Sequence, residues 1–189
     1  GSVIARFLLG RAYRKSNQSE KALEILDPVV KNNHDEFRVF VEYALCLLDS
    51  KKPLKNAIAI LKLSTLYGLK DAKFISTLGG MLFMNGNFSE AESIFSESNK
   101  VSFSALERQK IYYRPRDPDD SSNYVRIKGE VITIKPGYVL IDAKEGYPRF
   151  LCPSSKSGGL LMTPGLKINF ALAFCSKGHL AVNPKSEQS

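Results

Sequence analysis

The sequence predicts an α + β fold in separate domains, a solenoid of helical hairpins followed by a small five-stranded β-barrel. The helical half rests on small residues that recur at Gly10, Ala44 and Gly79, and again at Ala22, Ala57 and Ala91, always 34 or 35 residues apart. That period, with Gly or Ala at two fixed phases, marks a pair of helices repeated in tandem. The strand half rests on a change of period. From Tyr124 onward, apolar and polar residues alternate in short runs separated by Gly or Pro, as in a small barrel. Residues 114–123 divide the two, their two prolines and three carboxylates breaking every periodicity. The expected division is repeats with a capping helix over 1–113, a linker over 114–123, the barrel over 124–185 and a tail over 186–189.

Composition fits a folded chain. Of 189 residues, 43% are apolar and 24% charged, which excludes a disordered polymer. No apolar run approaches the roughly 18 residues of a membrane helix, so no membrane partner is expected. Gly1 and Ser2 read as the remnant of a cleaved tag, which makes the expected context a larger protein. Cys46, Cys152 and Cys175 are odd in number and form no CxxC pair, so a reducing, cytoplasmic setting is expected. The net charge of +8 divides into +4 over residues 1–110, −1 over 111–123 and +5 over 124–189. Such a surplus is compatible with ordinary solubility.

The first repeat carries Leu9-Gly10, Tyr13, Ala22 and Leu26; the second Tyr43-Ala44, Leu47, Ala57 and Leu61; the third Leu78-Gly79, Leu82, Ala91 and Phe95. A small residue in the first helix of each hairpin lets the second approach closely, and the second small residue does the same from the other side. The large residue four positions on is expected to fill the layer between neighbouring hairpins. Residues 16–19, 49–53 and 85–87 are the expected turns within the hairpins, the middle one absorbing one extra residue. This pattern resembles the tetratricopeptide repeat over residues 3 to about 104. Residues 105–113 are expected to continue as a helix over the open end of the last repeat.

In the second half, strands are expected over 124–134, 138–142, 149–152, 167–174 and 180–182. The order Gly129-Glu130-Val131, Lys135-Pro136-Gly137-Tyr138-Val139-Leu140-Ile141, Arg149-Phe150-Leu151-Cys152, Pro164-Gly165 and Lys177-Gly178-His179-Leu180-Ala181-Val182-Asn183 resembles a cold-shock domain over residues 127–184. The resemblance implies a five-stranded barrel of OB type. It also implies single-strand nucleic-acid binding, with bases stacked on Tyr138 and Phe150 and phosphates held by Lys128, Lys135 and Arg149. Leu140, Val139, Cys152, Pro153 and Thr133 depart from the family's platform, so two rings remain of about five.

In a stack of tetratricopeptide hairpins the first helices line a concave face. The residues expected there are Phe7, Arg11, Arg14 and Lys15 in the first repeat, Arg38, Val41, Leu45 and Leu48 in the second, and Lys73, Ser76, Gly80 and Phe83 in the third. They describe a groove with a basic and an apolar end, suited to an acidic peptide, a partner protein or another domain of the same chain. The Lys and Asn pairs with which chaperone-binding relatives clamp a C-terminal carboxylate do not stand at these phases.

No catalytic constellation emerges. His34 and His179 fall in turns without a nucleophile or carboxylate at a motif spacing. Cys152, Cys175 and His179 lack the paired spacing of a metal site, and Gly158-Gly159 lacks the order of a phosphate loop. The expectation is a non-catalytic interaction module without cofactor or metal, the alternative being single-stranded RNA or DNA binding through the barrel.

Overall fold

The computed structural model describes residues 2–33, 35–143 and 146–187; His34 lies outside them. The helices are α1 (Val3–Lys15), α2 (Ser19–Asn32), α3 (Phe37–Asp49), α4 (Leu54–Leu63), a single turn α5 (Thr65–Gly68), α6 (Ala72–Met84), α7 (Phe88–Ser96) and a short α8 (Ala105–Gln109). They pair as hairpins α1/α2, α3/α4 and α6/α7. None of the described helices is long and apolar enough to cross a membrane.

The spacing of small residues has a direct steric cause. A Cβ added to Gly10 would lie 2.6 Å from Leu26 Cγ, and one added to Gly79 would lie 2.5 Å from Phe95 Cε1. Leu26 and Phe95 therefore fill the seam inside their own hairpins, rather than the layer between hairpins expected from the sequence.

The three hairpin turns share one device. Asn17, Lys51 and Gly86 occupy the left-handed region, at φ of 57°, 55° and 80°. In each case the next residue's N–H bonds back across the helix end: Gln18 to Tyr13 O at 2.9 Å, Lys52 to Leu47 O at 2.9 Å and Asn87 to Leu82 O at 3.0 Å. This is the 6→1 closure that ends a helix when one residue can turn left-handed.

The helix expected over 105–113 is shorter than that. Ser104 and Glu107 form a capping box that starts α8, but the chain is extended by Lys110, and Tyr113 pairs with Phe174 as an isolated bridge. The segment runs as a strap along the sheet, with Phe174 N donating to Tyr113 O at 2.9 Å, Val125 N to Pro115 O at 3.0 Å and Leu172 N to Val125 O at 3.0 Å. The loop closes on itself through Arg116 Nη1 donating to Ser122 O and Ser122 N donating to Asp120 Oδ1. The Arg114 and Arg116 guanidinium groups lie over the Tyr124 ring.

Five strands follow: β1 (Arg126–Lys135), β2 (Tyr138–Ala143), β3 (Phe150–Pro153), β4 (Lys167–Cys175) and β5 (Gly178–Ser186). They close in the order β1-β2-β3-β5-β4, antiparallel except for β3 against β5. The tail expected from 186 begins inside β5. Ile127, Val131, Val139, Ile141, Phe150, Cys152, Ile168, Phe170 and Leu172 fill the interior. From Phe170 to Cys175 every residue of β4 is buried, because one face of the strand looks into the barrel and, at Phe174, onto the helices, while Ala171 and Ala173 on the other face lie under Ile111 and Tyr124 of the strap. A strand covered on both faces reads as a continuous apolar run, which explains Phe170-Ala-Leu-Ala-Phe-Cys.

Lys51 is the one turn residue of the three with a long side chain held at positive φ. Lys51→Gly is expected to raise stability by up to about 1 kcal/mol, read as a higher melting temperature, while Lys52→Gly gives no gain.

Candidate functional site

Three regions hold the residues singled out by the sequence. The first lies across the first helices of the three hairpins. Phe40, Val41, Ala44 and their neighbours make α3 a core helix, yet in the middle of it Glu42 is fully buried. A buried carboxylate requires a cation. Arg14 of α1 supplies it, donating from Nε to Glu42 Oε1 and from Nη1 to Asp49 Oδ2 at 3.2 Å. Lys73 of α6 places its ammonium 3.8 Å from Glu42 Oε2, an oxygen that accepts no hydrogen bond among the described residues. Burial depresses the Lys73 pKa, Glu42 opposes this, and the cations Arg11 and Arg14 add to the depression. Arg14 and Lys73 thus converge on one buried carboxylate, and Arg11 acts on Lys73.

Of the other expected groove residues, Arg11, Lys15 and Arg38 are exposed, whereas Phe7, Leu45 and Leu48 are half-buried against the core. Val41 is buried and takes no part in a free surface. Neither does Phe83. It is 2% exposed, and the expected apolar end of the groove is occupied by the barrel.

That junction is the second region. The Phe83 ring centroid lies 5.4 Å from Phe174, 5.9 Å from Phe150, 5.9 Å from Tyr147 and 4.7 Å from His179. Phe95 stacks on Phe174 at 6.2 Å, and Tyr113 stacks on Phe174 at 5.8 Å. Gly80 makes the approach possible, since a Cβ there would lie 2.6 Å from Tyr113 and 2.8 Å from Phe174. His179 Nε2 donates to Arg149 O at 2.9 Å. Burial pushes the His179 pKa down, against the pull of that hydrogen bond and of Glu92.

The third region is the outer face of β2 and β3. Register decides what it displays: Tyr138 pairs with Pro153, Val139 with Cys152, Leu140 with Leu151 and Ile141 with Phe150. Directly paired residues share a face, and Val139, Ile141, Phe150 and Cys152 are all buried. Phe150 therefore points inward, against the expectation that it stacks bases, and the outer face carries Tyr138, Leu140, Leu151 and Pro153. The expected phosphate ligands do not converge either. Lys128 pairs with Asn169 of β4 and lies 3.6 Å from Glu187, Lys135 pairs with Tyr138, and Arg149 lies 3.7 Å from Asp142. Seven residues of strand separate Lys128 from Lys135, roughly 23 Å.

The thiols are not poised for chemistry. Burial pushes Cys46 to about 12 and Cys152 to about 11, and raises Cys175, so all three remain protonated near neutrality. Among the described residues, no three His, Cys, Asp or Glu side chains are placed to hold a metal ion.

No family model matches the sequence, and no match is found among curated proteins. Among solved structures the chain is similar to the type III secretion translocator chaperone SycD of Yersinia enterocolitica, in an alternative dimer. The identity is 18% and the TM-score 0.45, over 52% of this chain and 74% of that one. It is similar also to MamA of MSR-1 (C2), with 19% identity and a TM-score of 0.43, over 52% of this chain and 56% of that one.

Two outcomes follow for the junction. Gly80→Ala drives a methyl group into two rings and is expected to cost about 1–3 kcal/mol, the range for an overpacked core, measured by denaturant unfolding; a cost near zero would mean that the rings yield freely. For His179, the folded pKa lies below the unfolded value near 6.5. Below that value the unfolded chain binds a proton that the folded chain resists. Stability is therefore full above about pH 6.5 and is lost as pH falls toward the folded pKa. Melting between about pH 7.5 and about pH 5.5 is expected to fall more steeply in the wild type than in His179→Gln.

Proposed function

We propose that this chain is a non-catalytic, cytoplasmic interaction module in which a tetratricopeptide-like array receives an acidic peptide or partner domain on its concave face. In this reading the OB-type, cold-shock-like barrel acts as a fixed cap on the array. The observation that carries it is the convergence of Arg14 and Lys73 on Glu42, the only buried carboxylate among the described residues, with Arg11 acting on Lys73 and with Lys15 and Arg38 exposed on the same first helices. Arg14 is committed to Glu42 and Asp49. Lys73, already depressed by burial and by two neighbouring cations, gains from any additional carboxylate. A partner anion is thus attracted by Arg11, Arg38 and Lys73, and the half-buried Leu45 and Leu48 lie beside them as apolar contacts.

Nucleic acid is the weaker reading. One outward ring, Tyr138, is left of the stacking platform, and at about 1–3 kcal/mol per stacked base a single ring supports little affinity.

The test uses fluorescence anisotropy with a labelled peptide of alternating Glu and Leu residues and, separately, a short single-stranded RNA. Arg38→Glu combined with Lys73→Gln is expected to weaken the peptide by at least about 10-fold at low salt, and to lower the melting temperature without unfolding the chain, since Arg14 still holds Glu42. Arg14 is left intact, because removing it would strand a buried carboxylate at a cost of about 3–5 kcal/mol. Unchanged peptide affinity would sink the assignment of this face. Saturable RNA binding lost in Tyr138→Ala would move the function to the barrel.

A further inference from the structure

The outer face of the middle hairpin differs from those of the hairpins on either side of it. Ala59, Leu63 and Leu66 correspond, one period back, to Glu24, Pro28 and Lys31 of α2, and one period on to Ser93, Glu97 and Lys100 at and just after α7. Each flanking set carries an acid and a base. The middle set carries neither. Leu63 is 52% exposed, Leu66 80% and the adjoining Tyr67 47%, with Ala59 exposed one turn before Leu63. Only Ser64 separates α4 from α5, so Ala59, Leu63, Leu66 and Tyr67 keep the spacings of three and four that share a helix face. Stacking of repeats does not account for this stripe, because α4 has a hairpin of the chain on each side: Lys52 lies 3.8 Å from Glu20 of α2 and Lys62 lies 2.6 Å from Glu90 of α7. A single exposed leucine needs no explanation. A contiguous apolar stripe rimmed by polar residues is the kind of surface that marks an interaction site.

Charge selects the occupant. From Ser50 to Lys70 the chain carries Lys51, Lys52, Lys55, Lys62 and Lys70 and no acidic residue. Lys52 and Lys62 are held by Glu20 and Glu90. Lys55 and Lys70 are exposed and have no ion pair among the described residues. They stand at the two ends of the stripe, Lys55 one turn before Ala59 on the same face of α4 and Lys70 just after α5. A second copy laid α4 against α4 would bring these lysines together with no acid on either segment. A flat anionic lipid surface would meet acids as well as bases: Glu20 and Glu90 border the stripe, and beside Tyr67 the surface dips into a recess walled by Lys31, Asn32, Asn33 and Asp35. What matches the stripe is a narrow apolar ridge with acids near its two ends, the form of an acidic amphipathic helix.

We propose that the outer face of α4 and α5 docks an acidic amphipathic helix of a partner protein, with its apolar stripe on Ala59, Leu63, Leu66 and Tyr67 and its acids paired with Lys55 and Lys70. From Lys55 to Leu66 the chain rises roughly 16 Å, so about three turns of the incoming helix cover the stripe. The apolar contact supplies the affinity, and the two lysines steer the approach and set its orientation. This surface shares no residue with the concave face: Arg38 and Lys73 lie on α3 and α6, the first helices of their hairpins, whereas α4 is a second helix.

The probe is a labelled helical peptide of about 20 residues, long enough to hold a helix, with Leu at alternate spacings of three and four, Glu near both ends of the Leu stripe and Ala elsewhere. Its counterpart has Lys in place of Glu. In fluorescence anisotropy the Glu peptide is expected to bind the whole 189-residue chain saturably. It is expected to lose at least about 10-fold in Leu66→Glu and in Leu63→Ala with Leu66→Ala, and to keep its affinity in Arg38→Glu with Lys73→Gln. Lys55→Gln with Lys70→Gln is expected to weaken it at low salt and to leave it nearly unchanged at high salt. Because Leu63, Leu66, Lys55 and Lys70 are exposed, these variants are expected to melt with the wild type. Equal binding by the wild type and both leucine variants, or equal binding of the Lys peptide, would overturn the proposal. So would loss confined to the Arg38 and Lys73 variant, which would assign the peptide to the concave face. Dimerisation abolished by Leu66→Glu would overturn it in favour of a second copy. Sedimentation with vesicles of phosphatidylserine and phosphatidylcholine, lost in Leu66→Glu and without peptide binding, would overturn it in favour of a membrane surface.

Discussion

The contact on which the rest of the structure depends is the burial of Phe83 and Phe174 against each other at the end of the array. Phe83 sits one turn beyond Gly79 on α6, and Phe174 sits near the end of β4, so the two rings join elements with little else in common. Around them Phe95, Tyr113, Phe150 and His179 complete one continuous buried cluster from hairpins to barrel. Each buried Phe contributes about 1.5–3 kcal/mol relative to exposure, and ring pairs in edge or offset geometry add about 0.5–1.5 kcal/mol. A junction built from several such rings is comparable in strength to a domain core, and the strap from Tyr113 to Val125 adds backbone hydrogen bonds along β4. The barrel is thereby part of the array's packing, and the apolar end of the groove is filled from within the chain.

The second constraint is electrostatic. Glu42 has no exposure to water, so Arg14 serves the fold before it serves any partner. The array holds its first helices together by a chain of charges running from α1 through α3 to α6, where Lys73 approaches the second oxygen of the same carboxylate. Burying an ion pair contributes little net stability, but removing one member is costly, so this arrangement fixes the relative placement of three helices more than it strengthens them. Among the described residues Arg11 and Arg38 are exposed and are paired with no buried carboxylate. The positive surplus that the sequence displayed as a single number is divided between cations that hold the fold and cations that face outward.

Much of the architecture was legible because steric rules act locally. Gly10 and Gly79 could be found from their spacing, since only a residue without a Cβ admits Leu26 or Phe95 at that distance, and the three turns fell where a left-handed residue recurs with the same period. The misplacements have equally definite causes. Phe150 faces inward because its strand lies one residue out of the register that the cold-shock resemblance implies, and in a strand a shift of one residue exchanges the two faces. The pairing of Leu140 with Leu151 sets that register, and no feature of a four-residue strand announces it. Residues 110–113 have helix-compatible composition, but Tyr113 gains more from bridging Phe174 and burying its ring than from continuing α8. Glu42 was overlooked because it stands inside an apolar run with its partner 28 residues earlier. The available signal was the oddity itself: a carboxylate on the buried face of a repeat must find a cation on the helix before it.

The third hairpin and the barrel share one packing surface. α6 seats on Phe174 at the end of the interior-facing row of β4, while Ala171 and Ala173 on the other face lie under Ile111 and Tyr124 of the strap, which explains why that strand is apolar throughout. A solenoid repeat cannot bury its hydrophobic face alone, and for the third hairpin the barrel answers that requirement, with Phe83 and Phe95 of α6 and α7 covered by Phe174.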